Sequence, residues 1–192
     1  MEQNFDHPEF WVGDYARFAD EVGYLTWAWN ALHADLCDLF RIVTGIEGPE
    51  IPSSIWHAIK SDRGQRDVLR EAAAVRTQGD DECRAGIIWL LKEIDQIASI
   101  RNDAIHTHWT VEHDIGKDPR KADYFISRKA IPDDRHGKRL ADKPPGEVFR
   151  ALSGYCMTLI QFSRFLGIRI LGWNDGEPLP DRPTRPAILT YP

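Results

Sequence analysis

Apolar residues at Phe18, Val22, Leu25, Trp29, Leu32, Leu36, Leu39 and Val43 alternate steps of four and three, a spacing that puts them on one face of an α-helix. No strand can use that period, and a stripe of such length cannot stay in water. The chain must therefore supply other helices to cover it. Two more stripes of the same kind follow, at Ile87, Leu91, Ile94, Ala98, Arg101 and Ile105, and at Val148, Leu152, Tyr155, Leu159, Phe162 and Leu166.

A weaker stripe of Ile55, Ile59, Val68, Leu69, Ala72 and Val75 lies between the first two. Its middle, Ser61 to Arg66, holds a glycine and three charged residues, so the region is one kinked helix or two. Asp14 is the expected cap of the first helix, after an irregular aromatic arm over residues 1–13. Gly45, Gly48, Pro49 and Pro52 stop that helix, and Ser53 or Ser54 is placed to cap the next. The expected class is all-α: an antiparallel bundle of four helices, or five if the weak stripe divides.

Between Trp109 and Pro144 the helical period is lost. Trp109 to His113 and Tyr124 to Ser127 favour strand, so a basic β-hairpin or loop is expected as an insertion after the third main helix. One domain over residues 1–173, with the insertion at 109–144, suits 192 residues. Five prolines between Trp173 and Pro192 predict an irregular tail over 174–192 that wraps the bundle or a partner subunit.

A hydrophobic fraction of 42% with seven Trp excludes a disordered chain. No apolar run is long enough to cross a membrane, and the acidic start lacks signal-peptide features, so the expected place is the cytoplasm, away from membranes. Cys37, Cys83 and Cys156 are far apart and read as reduced packing residues. The net charge of −6 argues against a general nucleic-acid binder, but it hides an asymmetry. Residues 1–50 carry ten acidic groups against two arginines, whereas residues 115–143 carry nine Lys or Arg against five Asp.

That basic block follows directly on the third helix, whose end reads Arg101-Asn102-Asp103-Ala104-Ile105-His106-Thr107-His108. Arg101 occupies a stripe position, where a charge must find a carboxylate, reach water or serve a ligand. Asn102 and His106 share a face four residues apart, and Arg101 can swing toward it. Such a trio suits phosphodiester cleavage by the neighbouring ribose hydroxyl: His moves a proton near neutral pH, Arg holds phosphorane charge in its fork, and Asn orients either. The bland alternatives are an Arg101 salt bridge to Asp35 or Asp38 and a His106 that merely complements the helix dipole. His106, His108 and His113 also raise a metal reading, in which imidazoles hold zinc.

Arg101 through His106 resembles the signature of the HEPN superfamily: Arg, a polar residue, three further residues, then His, late in a helix of an all-α bundle. The resemblance implies a metal-independent endoribonuclease without cofactor, acting as a homodimer on single-stranded RNA or tRNA loops. Some such proteins are toxins held by an antitoxin protein, and others are silent binding modules. It implies that Arg101 and His106 are catalytic, with Asn102 in support. RNA contacts are then expected from His108 at the edge of the site, from Trp109 by stacking, and from Lys117, Arg120, Lys121 and Arg128 in the basic block.

Overall fold

The computed structural model describes residues 8–107, 109–113, 126–130, 140, 143–173 and 176–190, with backbone alone for the first turns of the opening helix and for both strands. Five helices dominate: α1 (Pro8–Thr44), α2 (Glu50–Ala58), α3 (Asp62–Arg76), α4 (Asp81–His106) and α5 (Pro145–Ile170). Strands β1 (Trp109–His113) and β2 (Ile126–Ala130) pair antiparallel, with Val111 opposite Arg128. The expected all-α class agrees with this content. No helix among the described residues is long and apolar enough to cross a membrane.

Three expectations need correction. Helix α1 starts at Pro8, not after Asp14, and so takes in much of the supposed irregular arm. Proline suits a first turn because its missing N–H has no intrahelical partner there. Ser53 and Ser54 do not cap α2, which begins at Glu50 behind Pro49 and has no side-chain cap. Finally, the weak stripe does divide into two helices, one of the two alternatives, but the break runs from Ile59 to Ser61 and so only touches the start of the Ser61–Arg66 stretch.

Ile59 ends α2 in extended backbone, and Ser61 caps α3 by accepting the Gly64 N–H at 3.1 Å. Gly64 belongs to the first turn of α3, where a Cβ would meet Ile59 Cγ2 at 2.8 Å. It permits the tight reversal instead of breaking a helix. Of the expected stripe Leu69 is buried and Ile59 and Ala72 are partly buried, while Ile55, Val68 and Val75 face outward and Trp56, Arg66 and Ala73 are buried in their stead. Arg66 in a buried position misled the apolar count.

Helix α1 packs against α5 on one side and against α2 and α3 on another, while α4 packs on α5 and α3. Leu25, Leu32, Leu36, Leu39 and Val43 meet Ile87, Leu91 and Ile94 of α4 and Val148, Leu152, Leu159 and Leu166 of α5 in one core. Each such fully buried side chain contributes about 1.5–3 kcal/mol. Gly86 lets α4 approach α5, since a Cβ there would come within 2.7 Å of Leu166 Cδ2. The three cysteines are free and buried, and burial pushes the thiols of Cys83 and Cys156 up to about 11 and about 12. They behave as packing residues.

The proline-rich stretch docks on the helices. Leu189 is buried, and Lys143 Nζ donates to the carbonyls of Ile188 and Thr190 at 2.7 and 3.0 Å. Arg185 donates to the carboxylate of Glu93 on α4, which also accepts the Tyr155 hydroxyl at 2.9 Å. Burial alone would raise the Glu93 carboxyl, but the Arg185 and Tyr155 hydrogen bonds hold it below the usual range. A depressed folded-state value stabilises above the unfolded carboxyl range, and that stability is lost as pH falls through the folded value. Arg185→Met should lower stability by about 1–3 kcal/mol and remove part of this acid dependence. Urea unfolding at neutral and acid pH checks it; an unchanged midpoint would mean that the tail adds nothing.

Candidate functional site

Arg101 sits in the penultimate turn of α4, half-buried on the inward stripe as its spacing predicts. Its cation lies over the Trp29 indole of α1, 5.4 Å from the ring centroid, and Nη1 donates to Asn102 Oδ1 at 3.0 Å. Its Nε is buried without a hydrogen-bond partner. Neither expected carboxylate takes it. Asp35 pairs with Arg164 at 2.8 Å and Asp38 with Arg41 at 2.7 Å, so among the described residues Arg101 has no ion-pair partner.

Asn102 and His106 are exposed on the adjoining face, with His106 in the last turn of α4. Asp103 between them is buried; its carbonyl accepts both the amide of Thr107, at 2.9 Å, and the Thr107 hydroxyl, closing the helix. The structure thus brings Arg101 and Asn102 into direct contact and leaves His106 one turn on. Trp109 and Arg128 lie on β1 and β2, where Trp109 is opposite Ala130. His108, Lys117, Arg120 and Lys121 lie outside the described residues. Among the described residues no cluster of three His, Cys, Asp or Glu could hold a metal ion.

Beside Arg101 lies a polar seam that sequence reasoning missed. Trp29 Nε1 donates to Asp62 Oδ2 of α3 at 3.1 Å, and the His33 ring stands 5.1 Å from Trp29, with Nε2 3.7 Å from the same carboxylate oxygen. Gln65 Nε2 donates to the carbonyls of Trp56 and Ile59, which turns Gln65 Oε1 toward His33 Nδ1 at 3.4 Å. That orientation assigns the proton of neutral His33 to Nδ1 and leaves Nε2 as a bare acceptor. Arg66 is 3% exposed; its Nε donates to Asp95 Oδ1 at 2.8 Å, and Arg70 Nη2 reaches the other oxygen at 3.1 Å.

Arg66 Nη1 and His33 Nε2 are, like Arg101 Nε, buried without hydrogen-bond partners. A buried donor or acceptor left unmade costs about 1–3 kcal/mol, so two donors and one acceptor on one seam are a concentrated cost. Two signals were legible. Trp29 and His33 are four apart, as are Asp62 and Arg66, and each pair shares a helix face. The contact of α3 with α4 that buries Arg66 has no local signal.

Family models, curated proteins and solved structures yield no match to this chain. Its chemistry has to be read from its own residues.

Burial lowers the His33 pKa; Asp62 opposes this, and the cations of Arg66 and Arg101 push it down further. Between the folded and unfolded values the unfolded chain binds more protons, so stability rises with pH through that window and falls on acidification. Arg101→Gln removes one of the depressing charges and should move the His33 titration upward, whereas Asp62→Asn should move it downward. Ring-proton NMR reads both; a titration indifferent to Arg101 would show the two groups uncoupled.

Proposed function

We propose that this chain is a metal-independent endoribonuclease of the HEPN type, with Arg101 and His106 as its catalytic pair and Asn102 in support. The supporting observation is that the Arg101 cation lacks any carboxylate partner among the described residues, while Asn102 touches it and His106 follows one turn later. An arginine without a counter-charge at the surface end of a helix keeps its fork available for a phosphate.

In this reading Arg101 offers its free N–H groups to the equatorial oxygens of the scissile phosphodiester, whose charge rises as the ribose 2′-hydroxyl attacks. His106, exposed at the end of α4, takes the hydroxyl proton or delivers one to the departing 5′-oxygen. One imidazole can fill only one role per step, so a homodimer bringing two copies of the motif together would supply both acid and base. The Asn102 carbonyl holds one edge of the guanidinium, leaving the other for substrate.

The contacts of α1, α4 and α5 around one core support an antiparallel bundle as the scaffold. We further propose the paired β1 and β2 as the flank of a basic insertion that carries Lys117, Arg120, Lys121 and Arg128 to single-stranded RNA, with His108 and Trp109 at the edge of the site. A cytoplasmic toxin held by an antitoxin protein is the biological setting proposed for such an activity.

One observation favours a second reading. The stacking of Arg101 on Trp29 gives that cation a structural task, as in a catalytically silent interaction module. Purified protein incubated with an RNA pool in EDTA separates the two. Cleavage that drops by about 100-fold or more in Arg101→Ala and in His106→Ala, with folding intact, supports the enzyme. No cleavage, or cleavage indifferent to both substitutions, leaves the module.

A further inference from the structure

We propose that the N-terminal end of α3, with Trp29, Arg66 and Arg101 around it, binds a single oxyanion of the phosphate type, and that Asp62 occupies this place as a tethered carboxylate until the ligand displaces it. Asp62 is the first residue of α3 and its side chain is 54% exposed, yet its Oδ2 accepts the Trp29 indole N–H at 3.1 Å and lies 3.7 Å from His33 Nε2. A carboxylate reaching from the surface onto a buried donor marks where an incoming anion would sit. Arg66 stands one turn further along the same face of α3, and helical side chains lean toward the N-terminus.

Nη1 of Arg66 is the decisive atom: the side chain is 4% exposed, Asp95 takes only Nε, and Nη1 has no partner among the described residues. Arg101 adds a cation without a carboxylate among the described residues, stacked on the same Trp29. Trp29 joins the parts of the seam: Asp62 accepts its indole N–H, His33 stands beside the same carboxylate, and the Arg101 cation lies over its ring. The first turn of a 15-residue helix adds its own positive potential.

Trp and Arg side chains can only donate, so the ligand must accept on several sides. A planar carboxylate does no more than Asp62 does already, whereas a tetrahedral oxyanion presents oxygens to Trp29, Arg66 and Arg101 at once. The bare Nε2 of His33 then accepts the proton of a monoprotonated phosphate. Binding proceeds without bond making or breaking. The proposal extends the site described above and rests on Arg101 facing a ligand, but it does not require RNA cleavage.

The test titrates the full chain at fixed ionic strength with inorganic phosphate and, in parallel, with a short single-stranded oligoribonucleotide, following the Trp29 indole N–H and the His33 ring by NMR. Saturable shifts of both residues are expected with at least one probe. Phosphate alone would identify a free phosphate or monoester ligand, and the oligoribonucleotide alone a backbone diester. Asp62→Asn, which frees the place, should tighten binding, while Arg101→Gln and the charge-preserving Arg66→Lys should each weaken it by ~10-fold, or ~1.4 kcal/mol. Folding of each variant is checked by its unfolding midpoint. Absence of saturable shifts with either probe, or weaker binding in Asp62→Asn, overturns the proposal. Cleavage that persists without such binding would leave the nuclease reading standing and this one not; binding without cleavage would do the reverse.

Discussion

The packing of α1 on α5 is the contact on which the rest of the molecule depends. The α1 stripe is too long for any one short helix to cover, and α5 offers a matching run from Val148 to Leu166. Gly167 narrows the gap near the end of that contact, where a Cβ would meet Ile42 Cδ1 at 3.0 Å. Asp35 and Arg164 add a charged tie across the same pair. With one side of α1 used in this way, its other side is free to meet α3 through Trp29 and His33.

The polar seam follows from that division. Asp95 holds Arg66 and Arg70 together from across the α3–α4 contact, so two arginines share one carboxylate. Arg101, two turns further along α4, has no such partner among the described residues and rests instead on an aromatic face. A π face offsets part of a cation's lost hydration but accepts no hydrogen bonds in the plane of the guanidinium. The charge is tolerated without being fully satisfied.

Periodicity revealed the long helices because their stripes are local facts: Leu25 to Val43, Ile87 to Ile94 and Val148 to Leu166 are buried as their spacing requires. It also placed Arg101 on the inward face of α4. It succeeded only in part at α3, where Leu69 is buried as expected but Arg66, a charged residue that no apolar count includes, is buried while Val68 and Val75 are exposed. The hidden part of the candidate site has the same origin. Arg66 owes its burial to Asp95, 29 residues away, and Trp29 finds Asp62 at a separation of 33. Such pairings are set by how helices meet, and no window along the sequence contains both members. The start of α1 shows the opposite error, in which aromatic residues were read as irregular although a first-turn proline opens a helix.

The docking of residues 177–190 bears on the order in which the molecule can be completed during synthesis. Glu93 emerges from the ribosome long before Arg185, and its carboxylate waits on α4 for a counter-charge supplied 92 residues later. Leu25 likewise waits for a helix that starts at Pro145. Native contacts of this span pay their loop entropy before they return any stability. The nascent chain therefore carries an open α1 stripe until α5 has been made and an uncompensated acidic group until Arg185 has followed, and cooperative closure waits for both rather than proceeding helix by helix.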